Sequence, residues 1–405
     1  MNINTHKKSG IDWIGEVPIG WDIKRLKYIF RIRKDIVGEL GHKVLSITNK
    51  GVKVKDIDSG EGQISSDYSK YQKVKIGDFA MNHMDLLTGW VDISKYKGVT
   101  SPDYRVFEVA DKSVVPEYYL YVLQLCYLHR IFFPYGQGAA HVGRWRLPSD
   151  EFRNFYVPYP SKEEQKNIVK YIDHEMAGIN ELSDEYKKML SLLAEKRKAL
   201  VFNASMDEET VWSPLRFRSN LVSRPIQREP SEYYKPIGLF NRGRGLFHKK
   251  MVQGKELGDS KFFFVSEGDL IISGQFAWEG AVAIAGTNEE NCVVSHRYPI
   301  LRGVNGLNTI YLWAYFTTDH GNFLLNQNSN GAAGRNRPLN IRTLLKEKVP
   351  VPKMELQQKI VDLVRKERLL KQEIEEIEKL LKIRRISLIN SAVTGKIELR
   401  NKEVA

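Results

Sequence analysis

Two Gly-rich polar loops carry the side chains best suited to binding chemistry. One covers residues 135–146 and the other residues 326–337, and both mix small residues with polar donors. Glycine lets a backbone approach a partner closely. Arg, Gln and Asn pair bidentately with guanine and adenine edges, while further Arg and Lys hold phosphates. These loops therefore predict contacts to nucleic acid, through Gln137, His141, Arg144, Arg146, Gln327, Asn328, Asn330, Arg335, Asn336 and Arg337.

A second group of candidates lies upstream of each loop. Residues 241–250 read Asn-Arg-Gly-Arg-Gly-Leu-Phe-His-Lys-Lys, and the equivalent region of the first half is rich in Lys. Gly beside basic residues suits a phosphate backbone. Polar Gly-rich segments are often plain connections, so for each residue the functional and structural interpretations stay equally open. The added candidates are Lys50, Lys53, Arg242, Arg244, His248, Lys249 and Gln275.

Motifs for catalysis and metal binding are missing from the sequence. It has no Walker A motif, no Asn-Pro-Pro-aromatic motif and no Gly-x-Gly-x-x-Gly on a strand-to-helix turn. His83, Asp85 and Asp92 match no common metal spacing, and a structural role is favoured for them. Cys126 and Cys292 have no Cys or His at ligand spacing. We therefore expect no catalytic residue, no metal site and no disulfide.

Composition points to a folded protein with a polyanionic partner. The chain has 405 residues, 42% of them hydrophobic, which is enough for two or three domains with cores. It carries 62 Lys and Arg against 49 Asp and Glu, a formal charge of +13. Such a surplus favours nucleic acid, since each contacted phosphate releases a counterion. The alternatives are a charge that only aids solubility or, less favoured, an anionic membrane. Without an apolar signal segment or spanning run, we expect a cytoplasmic protein with no membrane partner.

An internal repeat positions both loops. Residues 157–169 align with residues 349–361 at an offset of 192, with seven of thirteen positions identical. The offset recurs upstream, where Gly77-Asp78 matches Gly268-Asp269 at 191, and at the loops, where Gly138-Ala139-Ala140 matches Gly331-Ala332-Ala333 at 193. The chain is therefore two copies of one unit, a mixed α/β module followed by a helix. The loops differ between the copies, which predicts two different recognition half-sites.

A long helix follows each module. Ser161 and Glu164 form a capping-box pattern after Pro160, and apolar residues then recur at alternating spacings of three and four. Regular seams of this kind call for a coiled-coil partner, and the economical partner of each helix is the other one. Pairing between copies of the chain is the alternative. The seam residues that we single out are Ile172, Ile179, Tyr186, Leu193, Ile360, Leu370, Ile374, Ile377 and Leu381.

These features predict an α+β fold with a pseudo-twofold internal duplication. Two mixed α/β domains, at 1–155 and 206–348, are separated by two long antiparallel coiled-coil helices, at 156–205 and 349–405. The modules supply binding, and the helices fix the distance between them.

The chain resembles the specificity (S) subunit of type I restriction–modification systems. The lead-in Asp12-Trp13-Ile14-Gly15-Glu16-Val17-Pro18-x-Gly20-Trp21, the repeated Val-Pro-x-Pro…Glu-x-Gln motif and the tail Ala392-Val393-Thr394-Gly395-Lys396-Ile397 are typical of that family. The resemblance implies two target recognition domains, 1–155 and 206–348, that read a bipartite double-stranded DNA target. The helices 156–205 and 349–405 would act as a ruler.

The resemblance also implies partners. Two modification subunits would dock on the helices and methylate adenine N6 with S-adenosylmethionine, and restriction (motor-nuclease) subunits would use ATP and Mg. This chain itself would be non-catalytic and hold no cofactor. Two alternatives stay open. One is a coiled-coil protein-binding adaptor without DNA specificity, and the other is an enzyme such as a divergent nuclease with an unrecognised active site.

Overall fold

The computed structural model describes residues 5–56, 67–138, 145–331 and 337–397. The chain divides into two compact units. Unit 1 combines Met1–Ser183 with Ile377–Ala405, and unit 2 is the continuous segment Asp184–Glu376. The C-terminal segment belongs to unit 1 through direct contacts. For example, the Tyr118 hydroxyl donates to the carbonyl of Val393 at 2.9 Å.

Unit 1 is built from short strands and a few helices. Its strands are β1 (His6–Lys8), β2 (Glu16–Pro18), β3 (Asp22–Arg25), β4 (Phe30–Arg33), β5 (Leu45–Thr48), β6 (Gly51–Val54), β7 (Gln72–Val74), β8 (Phe79–Met81), β9 (Val91–Ile93), β10 (Gly98–Thr100), β11 (Arg105–Val109) and β12 (Tyr156–Tyr159). Its helices are α1 (Pro116–Leu128), α2 (Ser149–Asn154) and the part of α3 (Lys162–Met206) up to Ser183.

Unit 2 takes the rest of α3 and has a similar inventory. Its strands are β13 (Val211–Pro214), β14 (Ser219–Val222), β15 (Tyr233–Tyr234), β16 (Ile237–Leu239), β17 (Leu246–His248), β18 (Val252–Gln253), β19 (Phe262–Phe264), β20 (Leu270–Ile272), β21 (Val282–Ile284), β22 (Val293–Ser295), β23 (Ile300–Gly303) and β24 (Lys348–Val351). Its helices are α4 (Thr309–Phe316), α5 (Asp319–Gln327), α6 (Ile341–Leu344) and the part of α7 (Met354–Val393) up to Glu376.

Strand pairing repeats from one unit to the other. An antiparallel four-stranded sheet has the order β4-β11-β8-β9 in unit 1 and β14-β23-β20-β21 in unit 2. The pairs β3–β12, β5–β6 and β7–β10 correspond to β13–β24, β16–β17 and β19–β22. In each unit the sheet packs against a helix, α1 or α4, in a core of buried aromatic and aliphatic side chains. The duplication predicted from the sequence is therefore present in the fold.

The repeated Gly-Asp pairs anchor the four-stranded sheets. Asp78 accepts a hydrogen bond from the Lys75 N–H at 2.7 Å and pairs with Arg33. Asp269 accepts from the Ser266 N–H at 2.9 Å and pairs with Arg224. Burial raises the pKa of Asp78. Burial also acts to raise the pKa of Asp269, but the hydrogen bonds to its carboxylate outweigh burial and lower it.

Buried glutamines lock the start of each long helix to its module. Gln165 and Gln357 are both 0% exposed. The side-chain carbonyl of Gln165 accepts the Val115 N–H at 2.7 Å, and its amide donates to the Pro160 carbonyl at 2.9 Å. Gln357 does the same with the Asn308 N–H at 2.8 Å and the Pro352 carbonyl at 2.7 Å. The Glu-x-Gln motif is therefore a structural clamp.

The long helices contact each other within each unit. In unit 1 the Ser183 hydroxyl donates to Glu378, and Glu175 pairs with Arg384 at 3.5 Å, so the two segments run in opposite directions. In unit 2 Arg197 donates to Glu367 at 2.6 Å. The predicted seam residues Ile172, Ile179, Ile360, Ile374 and Leu381 are buried, and Tyr186, Leu193, Leu370 and Ile377 are half-buried.

Two details of the helices differ from the expectation. The seven-residue spacing in α3 also predicts Leu182 and Met189 at the second seam position, but both are exposed, at 37% and 41%. Ser183 and Arg197 are buried instead, because a helix with about 3.6 residues per turn drifts away from a strict seven-residue repeat. The sequence of residues 307–325 predicts one helical patch, but the structure has two helices there, α4 and α5, because Thr318 caps a new helix by accepting the Gly321 N–H.

The apolar side chains of each long helix lie along one face and do not surround the helix. Across the described ranges, none of the helices combines the length and the hydropathy that crossing a bilayer requires.

Candidate DNA interface

The first loop of unit 1 is closed at its base by main-chain hydrogen bonds. Gln137 N–H donates to the Arg146 carbonyl at 2.8 Å, and Arg146 N–H donates back at 2.9 Å. Both side chains are exposed. Trp145 packs so closely on Gly136 that a Cβ there would clash with the indole nitrogen. Two predicted residues are therefore brought side by side, on a glycine that makes room for the tryptophan.

A buried arginine holds the chain where this loop returns to the module. Arg105 is 3% exposed, and its Nη2 donates to the Leu147 carbonyl at 2.8 Å. Its guanidinium also lies 4.8 Å above the Phe152 ring. Leu147 N–H donates to the His83 carbonyl at 2.9 Å. Among the described residues, Nη1 of Arg105 and Nδ1 of His83 have no hydrogen-bond partner.

Burial dominates the electrostatics of this site. It lowers the pKa of His83 to about 3, and the nearby charges of Arg105 and Arg146 act in the same direction. Burial also lowers the pKa of Arg105 to about 10, which leaves this side chain charged at neutral pH. The foot of the loop is thus a neutral imidazole beside a fixed positive charge.

The second loop, in unit 2, is closed at an equivalent place. Ser329 and Leu339 form an isolated antiparallel β-bridge. The Leu339 N–H donates to the Gly274 carbonyl at 2.8 Å, and the Asn340 N–H donates to the Asn328 carbonyl at 2.8 Å. The Leu339–Gly274 bond matches the Leu147–His83 bond of unit 1. Gln327, Asn330 and Arg337 are exposed around this base.

Asn328 departs from the prediction. It is 4% exposed, and its amide donates to the Leu324 carbonyl at 2.9 Å and to Glu347 at 3.3 Å. The residue follows α5, where the final carbonyls need donors, and the side chain turns inward to supply one. The structure therefore gives Asn328 an internal role and does not present it to a partner.

Three segments of unit 2 meet beside this loop. The tip of the β16–β17 hairpin bonds to the turn 277–280, through Arg242 N–H to the Glu279 carbonyl at 2.7 Å and Gly243 N–H to the Gly280 carbonyl at 2.7 Å. The same turn carries Trp278, whose ring lies 5.3 Å beneath the Arg337 guanidinium. Hairpin, turn and loop are therefore connected by direct contacts, with exposed arginines on the hairpin and on the loop.

The other basic candidates lie on the hairpins. Lys50 and Lys53 are exposed on β5–β6, whose Val52 N–H donates to the Asp92 carboxylate at 2.9 Å. Arg244 is exposed and donates to the Asn241 carbonyl at 3.0 Å. His248 pairs with Glu289 at 3.1 Å, so this histidine has an internal partner.

Some of the remaining candidates lie at the surface, and others fall outside the residues that the structure describes. Gln275 and Lys249 are exposed, and Gln275 lies at the foot of the unit 2 loop. His141, Arg144, Arg335 and Asn336 lie outside the described residues.

Sequence reasoning missed Arg105, and it gave His83 only a structural role. Arg105 begins a strand, and a charged residue at a strand start ordinarily indicates a surface position. The repeat offers a signal once the two copies are aligned. The strand registers show that Pro299 of unit 2 occupies the position of Arg105. A cation in one copy and a proline in the other indicates that this position differs in role between the copies.

Comparisons with known proteins agree with the duplication. The family model described as the type I restriction modification DNA specificity domain matches residues 18–188 and 231–384. Among curated proteins, none matches the chain.

Several solved structures resemble the chain over nearly its whole length. One, from work on complex assembly and conformational transition of the type I R-M system, has a TM-score of 0.60 at 15% identity, covering 94% of this chain and 99% of that chain. The HsdS subunit of Thermoanaerobacter tengcongensis has a TM-score of 0.45 at 16% identity, with 94% and 98% covered. The type I restriction–modification S subunit of M. genitalium has 0.41 at 14%, with 93% and 95% covered.

The first of these structures shows a shared fold, and the family model covers most of the chain in two separate matches. The matches correspond to the two modules that share strand order, glutamine clamp and loop position. The chain belongs to the family of type I restriction–modification specificity (S) subunits.

Proposed function

We propose that this chain reads a bipartite DNA target for a type I restriction–modification complex. In this proposal unit 1 and unit 2 each contact one half-site, and the long helices set the unread spacer. Adenine-N6 methyltransferase and motor-nuclease subunits dock on the chain and supply catalysis with S-adenosylmethionine, ATP and Mg. The chain itself contributes recognition and no chemistry, and residues 1–155 and 206–348 are its target recognition domains.

One observation carries the proposal. The two units share one framework, yet the loop on it has different side chains in each unit. In unit 1, Gln137 and Arg146 lie at the closed end of the loop. In unit 2, the closed end of the loop is surrounded by Gln327, Asn330 and Arg337. Equivalent loops with different side chains suit two readers of different sequences. The formal charge of +13 supports a polyanionic partner.

A footprint of the full chain with its modification subunits tests the reading function. We expect two protected half-sites around a gap of fixed length, and sequencing of methylated adenines should return the same half-sites. Binding should weaken steeply as salt rises, because phosphate contacts release counterions. One continuous protected site, or no protection, contradicts the proposal. Salt-independent binding to a protein with no DNA affinity would favour the adaptor alternative.

Deleting residues 187–190 from α3 tests the ruler separately. Removing four residues takes out about one helical turn. We expect a changed spacer or lost binding to the original target, with both half-site preferences retained. The control keeps the helix length and replaces the same four residues with alanine. An unchanged spacer at full affinity in the deletion variant would exclude the helices as the ruler.

A further inference from the structure

A cavity of about 510 Å³ opens at the closed end of the second loop in unit 2. We call this loop, residues 326–337, the reading loop. The walls of the cavity are mainly apolar and include Phe263, Tyr298, Pro299 and Leu339. The polar side chains at its lining include Gln275, His296 and Arg297. The size falls within the roughly 300–1,000 Å³ of pockets that hold small ligands.

Unit 1 carries larger side chains at two of the equivalent positions. Val106 pairs with Ala80 and Ile300 pairs with Ile271, which puts Arg105 and Pro299 at one position of equivalent strands. The matching bonds of Leu147 to His83 and of Leu339 to Gly274 align those residues as well. Where unit 1 has a buried arginine and an imidazole, unit 2 has a proline ring and no side chain.

The opening in unit 2 is maintained by its backbone. A Cβ on Gly274 would lie 2.5 Å from the Arg297 carbonyl oxygen, so this position cannot carry a side chain without a backbone shift. The cavity therefore follows from the chain's geometry and not from a flexible side chain that has moved aside.

The lining favours a flat ring with a polar edge. Phe263 and Tyr298 offer aromatic surfaces, on which a planar ring stacks, while Gln275 offers both a donor and an acceptor. Leu339 and Pro338 form one wall and lead directly to Arg337 of the reading loop. A nucleobase has this combination of flat apolar faces and hydrogen-bonding edge, and the loop is where DNA would lie.

We propose that this cavity receives one nucleobase, turned out of the duplex, from the half-site that unit 2 reads. The proposal rests on the proposed reading function. Turning a base out costs its stacking and pairing energy, and stacking against an aromatic side chain returns part of that cost. In unit 1 the side chains of Arg105 and His83 occupy the equivalent positions, and unit 1 reads its half-site without turning a base out.

A mismatch scan with the full chain and its modification subunits tests the proposal. A mismatched base is already partly unstacked, so placing one at the captured position should tighten binding about fivefold. We expect this at one position of the unit 2 half-site and at none of the unit 1 half-site. Tightening in neither half-site, or equally in both, overturns the proposal. The footprint on matched DNA reports separately whether the reading function itself fails.

Filling the cavity provides the matched variants. Pro299→Arg introduces the side chain that occupies the equivalent place in unit 1, and Ile341→Trp fills the cavity from another wall. Each should abolish the mismatch effect while protection of the unit 1 half-site persists. Ser231→Arg adds the same charge at an exposed residue that does not line the cavity, and should keep the effect. Persistence of the effect in both filled variants overturns the proposal.

Free deoxynucleosides at millimolar concentration distinguish the source of the base. We expect no saturable binding of a free deoxynucleoside to the complex without DNA. Saturable binding that Pro299→Arg removes, with no mismatch effect on DNA, would assign the cavity to a free nucleoside and overturn the proposal. If Pro299→Arg loses binding of the modification subunits and the wild-type complex shows no mismatch effect, the cavity belongs to a protein partner and the proposal is overturned.

Discussion

His83 makes the stability of unit 1 depend on pH. Its pKa is about 3 in the folded chain, lowered by burial from an ordinary 6.5. Between these values the unfolded chain binds a proton that the folded chain does not. The free energy of unfolding should therefore fall as pH drops below 6.5, by up to about 1.4 kcal/mol per pH unit.

Urea unfolding of wild type and His83→Gln at pH 7.5, 6.0 and 5.0 checks this. The substitution removes the titrating ring, so the variant should lose less stability between pH 7.5 and 5.0 than the wild type does. Identical pH dependence in the two proteins would mean that His83 titrates normally when folded.

Arg337 is one of the described loop residues that we expect to contact a base. Its guanidinium is exposed above Trp278 at 5.3 Å, which restricts its position without consuming its donors on an internal partner. Arg337→Ala should weaken binding to the unit 2 half-site by about 1–3 kcal/mol if the contact is to a base edge. Arg342→Ala, at an exposed arginine of α6, is the control. An equal loss on random DNA would identify a phosphate contact.

Among the elements, the glutamine clamp ties each long helix to a module. Gln357→Met keeps the side-chain volume but leaves the Asn308 N–H and the Pro352 carbonyl without their partner. Each buried group left unsatisfied costs about 1–3 kcal/mol, so the two together should cost unit 2 roughly 2–6 kcal/mol of unfolding free energy. Urea unfolding measures it. Gln165→Met should destabilise unit 1 similarly, and a loss below 0.5 kcal/mol (about the size of a surface substitution) would deny the clamp a role.

The elements also show what a sequence can predict. Strands such as β8 and β11 follow from short apolar runs, and the Ser161–Glu164 capping box is present as expected, with the Ser161 N–H donating to Glu164 at 3.1 Å. The seam is less predictable, because it depends on where a partner helix lies. Ser183 and Arg197 lie buried against the partner segment, where Glu378 and Glu367 accept their hydrogen bonds.

The candidate site is predictable in part for a similar reason. Composition and repeat indicate the loops, since Arg, Gln and Gly are visible in the sequence. The inward turn of Asn328 and the burial of Arg105 depend on neighbours distant in the chain, Glu347 and Leu147. Gly274 and Pro299 line the cavity of unit 2 where unit 1 has His83 and Arg105, and no periodic pattern records this difference.

At the scale of the molecule, unit 1 is discontinuous and unit 2 is not. Ile168 and Ile172 of the first segment share a core with Ile389, Ala392 and Val393 of the last one. A fragment of residues 1–183 should therefore fail to fold cooperatively, and a peptide of residues 377–397 should restore folding. Thermal melts followed by circular dichroism measure this.

Two controls accompany the fragment experiment. A peptide of residues 354–376, which belongs to unit 2, should not restore the fragment. Residues 184–376 alone contain all of unit 2 and should melt cooperatively without any addition. A cooperative melt of residues 1–183 without the peptide would show that the last segment is dispensable.

The discontinuity of unit 1 reverses the order in which the ribosome completes the two units. Synthesis of residues 184–376 takes roughly 10–40 s at about 5–20 residues per second. During that time the apolar surface around Ile168 and Ile172 stays exposed to solvent on the nascent chain. Unit 2 can finish first although it is encoded second, and a premature stop codon before position 377 removes the unit whose coding began first.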